Sequence, residues 1–249
     1  MLLATMALPS SVHALPLDVE LDGRELRLHP SAIETDRGLL LLDVGLPDTV
    51  GQLEARLNET GFGFDDVATV LITHQDGDHA GGLSAVVERS GATVVAHERD
   101  APAIDGCEDP GGPPGRERYP PARVDLELGG AVTFHTRAGP ARVVPTPGHT
   151  TGHVSVFLPE ERFLIAADAL TVDEDGLVGP RPDVTVDVDR ACPPLSASPI
   201  PTSIARSATT GGSLTKERIG SRQLVTSPAK CLFGGGGGAV PGGRRASAR

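Results

Sequence analysis

Residues 71–82, LITHQDGDHAGG, constrain the fold of this chain more than any other part of its sequence. They continue an apolar run at residues 67–72, which reads as a buried strand. Four side chains able to bind a metal lie within six residues of this segment: His74, Asp76, Asp78 and His79. Proteins of the α/β class commonly place their sites at the carboxyl ends of strands. We therefore expect a layered α/β fold with a candidate metal site at this turn.

The surrounding pattern supports an alternation of strands and helices. Residues 39–44 read as a buried strand containing Asp43, and a helix with apolar residues at helical spacing follows until Gly61. Residues 79–91 predict another helix, and residues 93–97 predict a third strand. Further along, short apolar runs alternate with turn residues, and two more metal-capable side chains, His149 and Asp168, fall at the ends of predicted strands.

The chemistry of these side chains indicates a transition metal. Imidazole and carboxylate together suit Zn²⁺, Mn²⁺ or Fe, whereas Ca²⁺ and Mg²⁺ prefer shells made of oxygen alone. Three histidines and three carboxylates exceed the needs of one tetrahedral ion. They suit two ions about 3.5–4 Å apart that share a carboxylate and a water. The sequence therefore predicts a dinuclear site, with Zn²⁺ as the first candidate.

Three segments in this order resemble the metallo-β-lactamase superfamily. They are THQDGDHAGG, PGHTTGH and AADA, and the resemblance covers roughly residues 30–190. The superfamily pattern is a strand, then H-x-H-x-D-H, a later histidine in a G-H-T-x-G-H turn, and an aspartate after another strand. The resemblance implies a four-layer αβ/βα sandwich, in which two mixed sheets pack face to face with helices outside.

The resemblance also implies a role for each candidate residue. The ligands of the first metal are expected to be His74, Asp76 and His149. Those of the second are expected to be Asp78 and His79, with Asp168 bridging both ions. Two further residues are expected to support the site without binding metal: Asp43, from behind, and His153.

One departure from the superfamily pattern lies inside the motif. Asp76 stands in the place of the family's second histidine. A carboxylate is a competent ligand, but it is harder than imidazole and shifts the expected metal from Zn²⁺ toward Mn²⁺ or Fe. A second departure concerns the end of the chain, since no histidine follows His153 although the superfamily places a last ligand some tens of residues after the bridging aspartate.

These features predict a metal-dependent hydrolase. A metal-bound hydroxide would attack an ester, thioester, lactone, amide or phosphoester of a small molecule, and Asp78 would orient or deprotonate the attacking water. Two alternatives stay open. The missing last histidine favours a catalytically impaired metal-binding protein, and related scaffolds with di-iron centres act in redox reactions together with a flavin, for which this sequence shows no binding segment.

The chain divides by composition near residue 191. Residues 1–190 hold 14 Arg, no Lys and 32 acidic residues, whereas residues 191–249 hold eight basic residues and one acid. We therefore predict a metallo-β-lactamase-like domain at residues 1–191 that is incomplete at its C-terminal end. Residues 192–249 form a low-complexity basic tail that is either disordered or a frameshifted translation. Reading the codons of residues 191–212 one base earlier permits an amphipathic helix, an acidic turn and then a strand that ends in His-Gly-Gly, which resembles the last ligand of the superfamily.

Composition also limits the partners and the compartment. A net charge of −11 gives no reason to expect a nucleic-acid partner. The N-terminal segment lacks a basic n-region and its apolar run is short, so we expect neither a secretory signal nor a membrane span, and we expect a cytoplasmic protein. The three cysteines show no disulfide framework or CxxC pair. The sequence does not set the oligomeric state.

Overall fold

The computed structural model describes residues 8–21, 23–110, 118–173, 176–191 and 208–209. The strands are β1 (Val12–Ala14), β2 (Leu17–Leu21), β3 (Arg24–Leu28), β4 (Ser31–Thr35), β5 (Gly38–Leu42), β6 (Val67–Leu71), β7 (Thr93–His97), β8 (Leu126–Leu128), β9 (Val132–Thr136), β10 (Gly139–Pro145), β11 (Val154–Leu158), β12 (Phe163–Ile165), β13 (Thr171–Asp173), β14 (Gly176–Val178) and β15 (Ala208–Thr209). The α-helices are α1 (Val50–Glu59), α2 (Gly77–Ala80), α3 (Leu83–Ser90), α4 (Ala101–Ile104) and α5 (Val188–Ala191). Short 3-10 helices lie at Pro47–Thr49, Phe64–Asp66 and Ala167–Ala169.

Two mixed sheets hold eleven of these strands, and the pairs β2-β3 and β13-β14 form two-stranded sheets. The first has the order β1-β4-β5-β6-β7-β8, and its strands from β5 to β8 run parallel. The second has the order β15-β12-β11-β10-β9, in which β9 to β12 are antiparallel and β15 runs parallel to β12. The parallel strands require crossover connections, and α1 and α3 supply the helices of two of them.

Alternation along β5 shows how the layers pack. Leu39 and Leu41 belong to the core cluster that includes residues of α1 and α3, whereas Leu40 and Leu42 belong to the cluster shared with the second sheet. Successive side chains of a strand point to opposite faces, so β5 is buried on both sides. The predicted α/β sandwich of face-to-face mixed sheets is confirmed. A helical layer over the second sheet is not found among the described residues.

The helices follow the predicted pattern with one difference. In α1, the apolar side chains of Val50, Leu53 and Leu57 are buried at helical spacing, and the helix ends before Gly61 as expected. The single helix predicted for residues 79–91 is instead two helices, α2 and α3, separated at Gly81 and Gly82. A side chain on Gly81 would clash with the backbone oxygen of Gly77, so this close packing requires glycine.

The three strands predicted in the first half of the chain are found in the fold. The strands predicted at residues 39–44, 67–72 and 93–97 are β5, β6 and β7, each within two residues of its predicted ends. Residues 192–249 lie outside the described part of the chain except for β15, so the tail predictions are not tested by it. Among the described helices, none combines the length and the apolar character needed to cross a membrane.

Candidate metal centre

Residues 73–82, which we name the N-terminal ligand loop, follow β6 at its carboxyl end. His74 and Asp76 precede α2, and Asp78 and His79 lie within it. Asp76 takes the N-cap position of α2 with extended backbone angles. The local sequence thus places its four candidate ligands at one strand end.

Residues 146–153, the C-terminal ligand turn, connect β10 to β11 and carry His149. Gly148 has φ +148°, and a side chain there would clash with Ala191 of α5. Asp168 lies in the 3-10 helix that directly follows β12, and the preceding Ala167 has φ +46°, a left-handed conformation that is costly for a residue other than glycine. Both segments leave the second sheet at the edge that faces the N-terminal ligand loop.

The candidate ligands from the two sheets converge. His149 Nε2 lies 3.1 Å from Asp76 Oδ2 and 3.6 Å from Asp168 Oδ2, while His79 Nε2 lies 3.2 Å from Asp168 Oδ1. The ring centroids of His74 and His149 are 4.7 Å apart. Asp168 therefore faces a histidine from each ligand segment, which is the placement expected of a bridging carboxylate.

Two sets of ligand atoms are close enough to share an ion. One set comes from His74, Asp76 and His149, and the other from His74, His79 and Asp168, with the ligand atoms of each set within 4.8 Å of one another. The first set is the one that the resemblance implies for the first metal. Asp78 lies at the margin of the second set, with its Oδ2 3.8 Å from His79 Nε2.

The buried ring nitrogens of this cluster fit a metal. His74 and His79 are 1% and 4% exposed, and the Nε2 atom of each has no hydrogen-bond partner among the described residues. Asp168 Oδ1 is likewise buried without such a partner. Buried polar atoms without partners are costly, and nearly all such atoms in native proteins are satisfied. A cation bound by imidazole nitrogen and carboxylate oxygen would satisfy all three atoms.

Asp43 fixes the orientation of the N-terminal ligands. Its carboxylate accepts hydrogen bonds from the Thr73 backbone N–H and the Thr73 hydroxyl, both at 2.8 Å, and it lies 2.8 Å from His79 Nδ1. Because the single hydroxyl proton of Thr73 goes to Asp43, Thr73 Oγ1 can only accept from His74 Nδ1, which is 3.1 Å away. Both histidines therefore carry their proton on Nδ1 and direct Nε2 to the centre.

The cluster is electrostatically unbalanced without a cation. Although burial opposes it, the carboxylates of Asp43, Asp78 and Asp168 raise the pKa of His79 well above its ordinary value. Burial, followed by the charge on His79, lowers the pKa of His74. The carboxylates around His79 therefore favour a positive charge at this position, and a divalent cation there would supply it.

His153 is buried beside the centre but belongs to neither set. Its Nδ1 lies 2.8 Å from the Thr146 hydroxyl, and its ring centroid is 5.0 Å from that of His74. Burial, followed by the charge of His149, lowers the pKa of His153 to about 3. The imidazole is thus neutral and packs against the ligand histidines. Its predicted role as a support, and not as a ligand, stays a prediction.

Sequence reasoning missed Asp100. Its side chain is 1% exposed and accepts hydrogen bonds from Gln75 of the N-terminal ligand loop and from two residues of the C-terminal ligand turn. The available signal was its position three residues after β7, at the same sheet edge as the candidate ligands. It was overlooked because a lone aspartate in HERDA matches no ligand spacing.

A comparison with known proteins matches most of the chain to the superfamily that its sequence motifs resemble. The profile described as the metallo-beta-lactamase superfamily matches residues 30–226. The chain is 29% identical, over 161 residues, to a protein of Bacillus subtilis (strain 168) named a probable metallo-hydrolase, a match that covers 55% of this chain and 57% of that protein. It is 34% identical, over 101 residues, to a hydroxyacylglutathione hydrolase of Rhizobium meliloti (strain 1021), which covers 41% of this chain and 33% of the relative. This chain therefore spans less than two thirds of the length of either relative.

The solved structures support the fold. A metallo-beta-lactamase family protein from Thermus thermophilus is similar to this chain with a TM-score of 0.62 and 23% identity, over 84% of this chain and 76% of that one. A metallo-beta-lactamase from Cronobacter sakazakii is similar with a TM-score of 0.53 and 24% identity, over 65% of this chain and 63% of that one. At these identities the likeness concerns the arrangement of strands and helices alone.

Proposed function

This chain belongs to the metallo-β-lactamase superfamily, and we propose that it is a metal-dependent hydrolase with a centre built from both ligand segments. The observation that carries the proposal is the meeting of two buried, unpartnered Nε2 atoms, of His74 and His79, with carboxylates from both sheets. Such an arrangement is unfavourable for a purely structural core, because it buries polar atoms without partners. It is favourable for a bound cation.

We assign the first metal to His74, Asp76 and His149. The second would be held by Asp78, His79 and Asp168, with Asp168 shared between the two ions. Asp168 supports this role through its two oxygens, one near His79 and the other near His149. The donor set suits Zn²⁺, and the carboxylate of Asp76 also admits Mn²⁺ or Fe.

The bound metal would lower the pKa of a coordinated water to near neutrality, so that a nucleophile is available at physiological pH. Asp78 is the residue proposed to orient this water or take its proton. Asp78 lies at the margin of the second set, with its Oδ2 3.8 Å from His79 Nε2, and this position supports the role. Asp43 and Thr73 would hold the histidines rigidly while the substrate carbonyl or phosphoryl group is attacked.

The substrate is proposed to be a small molecule with an ester, thioester, lactone, amide or phosphoester bond. One relative is named for the hydrolysis of hydroxyacylglutathione. Acyl conjugates of glutathione are thioesters, and they are therefore the first substrates to test. The fold and the ligands alone do not select among these bonds.

Metal content and activity test this proposal together. We expect the purified protein to bind Zn²⁺ or Mn²⁺, to hydrolyse at least one member of a panel of generic esters, thioesters, lactones and phosphodiesters, and to lose this activity to a chelator until metal is returned. His74→Ala should lose both properties, and His135→Ala, a change at an exposed position of β9, should keep them. Metal binding without any hydrolysis would favour the impaired metal-binding protein, and activity that survives both the chelator and His74→Ala would refute the proposal.

We further propose that the chain from about Cys192 onward is a frameshifted translation, which would explain the reversed charge and the missing last histidine. The recoded histidine falls on the codons of Thr209 and Thr210. Ala208–Thr209 forms β15, which pairs in parallel with Leu164–Ile165 of β12. In the restored frame, a strand at this place would lie beside β12, which Asp168 follows closely.

Resequencing the gene tests this second proposal. A lost base near the codon of Ala191 would support it, and a chain expressed in the restored frame should bind the second metal ion more tightly than the present chain. A confirmed reading frame would end the proposal. In that case residues 192–249 would be a genuine basic tail, and the hydrolase proposal would stand on the first set of ligands.

A further inference from the structure

Asp100 links the two ligand segments through three hydrogen bonds. Its Oδ2 accepts from the Gln75 backbone N–H at 3.2 Å and from the Thr150 hydroxyl at 2.6 Å. Its Oδ1 accepts from the Gly152 backbone N–H at 2.7 Å. Gln75 lies between His74 and Asp76, and Thr150 directly follows His149. One buried carboxylate thus contacts the immediate neighbours of all three residues assigned to the first metal.

The local structure is built for this contact. A side chain added at Gly152 would lie 2.5 Å from Asp100 Oδ1 and 2.8 Å from its backbone nitrogen, so only glycine allows the turn to approach so closely. Asp100 also occupies the N-cap position of α4, where an aspartate commonly bonds to the helix, yet its side chain makes no capping hydrogen bond. The carboxylate is therefore committed to the ligand segments.

We propose that Asp100 is a positioning residue that sets the relation between the N-terminal ligand loop and the C-terminal ligand turn, so that one metal ion can reach His74, Asp76 and His149 together. The inference rests on the proposed function, because it takes those three residues as ligands. Asp100 itself does not bind the metal. It acts through the backbone of Gln75 and Gly152 and through the Thr150 hydroxyl.

The contact between the two sheets does not depend on Asp100 alone. The Val154 backbone N–H donates to the Thr73 backbone oxygen at 2.9 Å, and a shared apolar cluster packs between the sheets. A variant at Asp100 should therefore fold, while its ligand segments lose their fixed relation. This separates positioning of the ligands from a general role in folding.

Asp100→Asn is the most direct variant. An amide of the same shape presents one acceptor oxygen, so whichever way it lies its NH₂ group faces a backbone N–H, that of Gln75 or that of Gly152, and leaves it without an acceptor. Asp125→Asn is the matched control, because Asp125 also accepts from a backbone N–H of the β7 region, that of Val94, but contacts neither ligand segment. Thr150→Val removes one of the three donors, and Thr150→Ser keeps it.

Hydrogen exchange of the metal-free protein tests the link without reference to metal. We expect the Gln75 and Gly152 amides to exchange faster in Asp100→Asn than in the wild-type protein, and to be unchanged in Asp125→Asn. Unchanged exchange at both amides in Asp100→Asn would overturn the inference. This result does not depend on whether the chain is a hydrolase.

Metal titration tests the consequence for the centre. With Zn²⁺ as the probe, we expect Asp100→Asn to weaken the affinity about 10–100-fold, the range typical of residues that orient metal ligands. Thr150→Val should weaken it less, and Thr150→Ser should restore it. With Co²⁺ as the probe, the visible absorption spectrum should change in Asp100→Asn and not in Asp125→Asn. Wild-type affinity and spectrum in Asp100→Asn would overturn the inference, whereas a wild-type protein that binds neither ion would refute the proposed function and leave the link to be judged by hydrogen exchange.

Discussion

The N-terminal ligand loop and the C-terminal ligand turn are held in place by different kinds of contact. In the loop, the supporting residue is Asp43, which directly follows β5 and contacts Thr73 and His79. The turn is supported by Asp100, which is 50 residues earlier than Thr150 and belongs to the other sheet. Half of the candidate centre is thus organised within the first sheet, between the ends of the neighbouring strands β5 and β6. The other half depends on a contact that exists only once both sheets have come together.

Removing a ligand should have the largest effect. His74 belongs to both sets of ligand atoms, and Asp168 faces histidines from both segments. We expect His74→Ala and Asp168→Ala each to abolish metal-dependent hydrolysis, measured with saturating added metal. If either variant kept substantial activity, the ligand assignment would be wrong for that residue.

Removing a supporting carboxylate should have a smaller effect that differs between the two regions. Asp43→Asn leaves one acceptor oxygen where two are used, by the Thr73 N–H on one side and by the Thr73 hydroxyl and His79 Nδ1 on the other. We expect about a 10–100-fold loss of metal affinity together with a loss of about 1–3 kcal/mol of unfolding free energy. Hydrogen exchange should then change in the N-terminal ligand loop and not at Gly152. If Asp43→Asn and Asp100→Asn changed the hydrogen exchange of the same amides, the two regions would not be held by separate contacts.

His153 should matter less than a ligand does. Its ring packs on His74 and bonds to the Thr146 hydroxyl, so His153→Ala removes packing and orientation but no ligand atom. We expect a fall in activity on the order of 10–100-fold, with metal still bound. A loss as complete as that of His74→Ala, accompanied by loss of metal, would make His153 a ligand.

A change at His29 is expected to affect the metal centre least. The protonation of His29 does, however, set the lowest pH at which these experiments can be compared. Burial, and then the charge of Arg27, lowers the pKa of His29 to about 4, below the ordinary value of 6.5. Between these values the unfolded chain binds more protons than the folded one, so stability falls as the pH is lowered through this window. The free energy of unfolding is expected to fall by about 3 kcal/mol by the acid end of this pH window.

Urea unfolding in the presence of a chelator measures this dependence without the metal. The free energy of unfolding should fall less steeply with acid in His29→Gln than in the wild-type protein. Identical slopes for the two proteins would show that His29 does not contribute. Metal titrations of both regions are best compared above this window.

The candidate ligands could be singled out from the sequence, while the contacts that position them were only partly predictable. His74, Asp76, Asp78 and His79 share one short motif after a clear strand, and local spacing is enough to recognise it. Asp100 carries no such signal, because its role arises from the distance between two sheets and not from neighbours in sequence. The break between α2 and α3 was also missed, since a pair of glycines inside a helical pattern is recognised as a break only when the packed backbone around Gly81 is known.

Anomalous scattering from crystals grown with Zn²⁺ or Mn²⁺ tests the central claim most directly. If the two regions together form the centre, a fully occupied ion will lie about 2.0–2.2 Å from His74 Nε2 and His149 Nε2, with a carboxylate oxygen of Asp76 beside it. A second ion near His79 and Asp168 should show lower occupancy in the present chain. An ion bound by residues of the N-terminal ligand loop alone, or no ion at these residues in crystals containing the metal, would contradict the account.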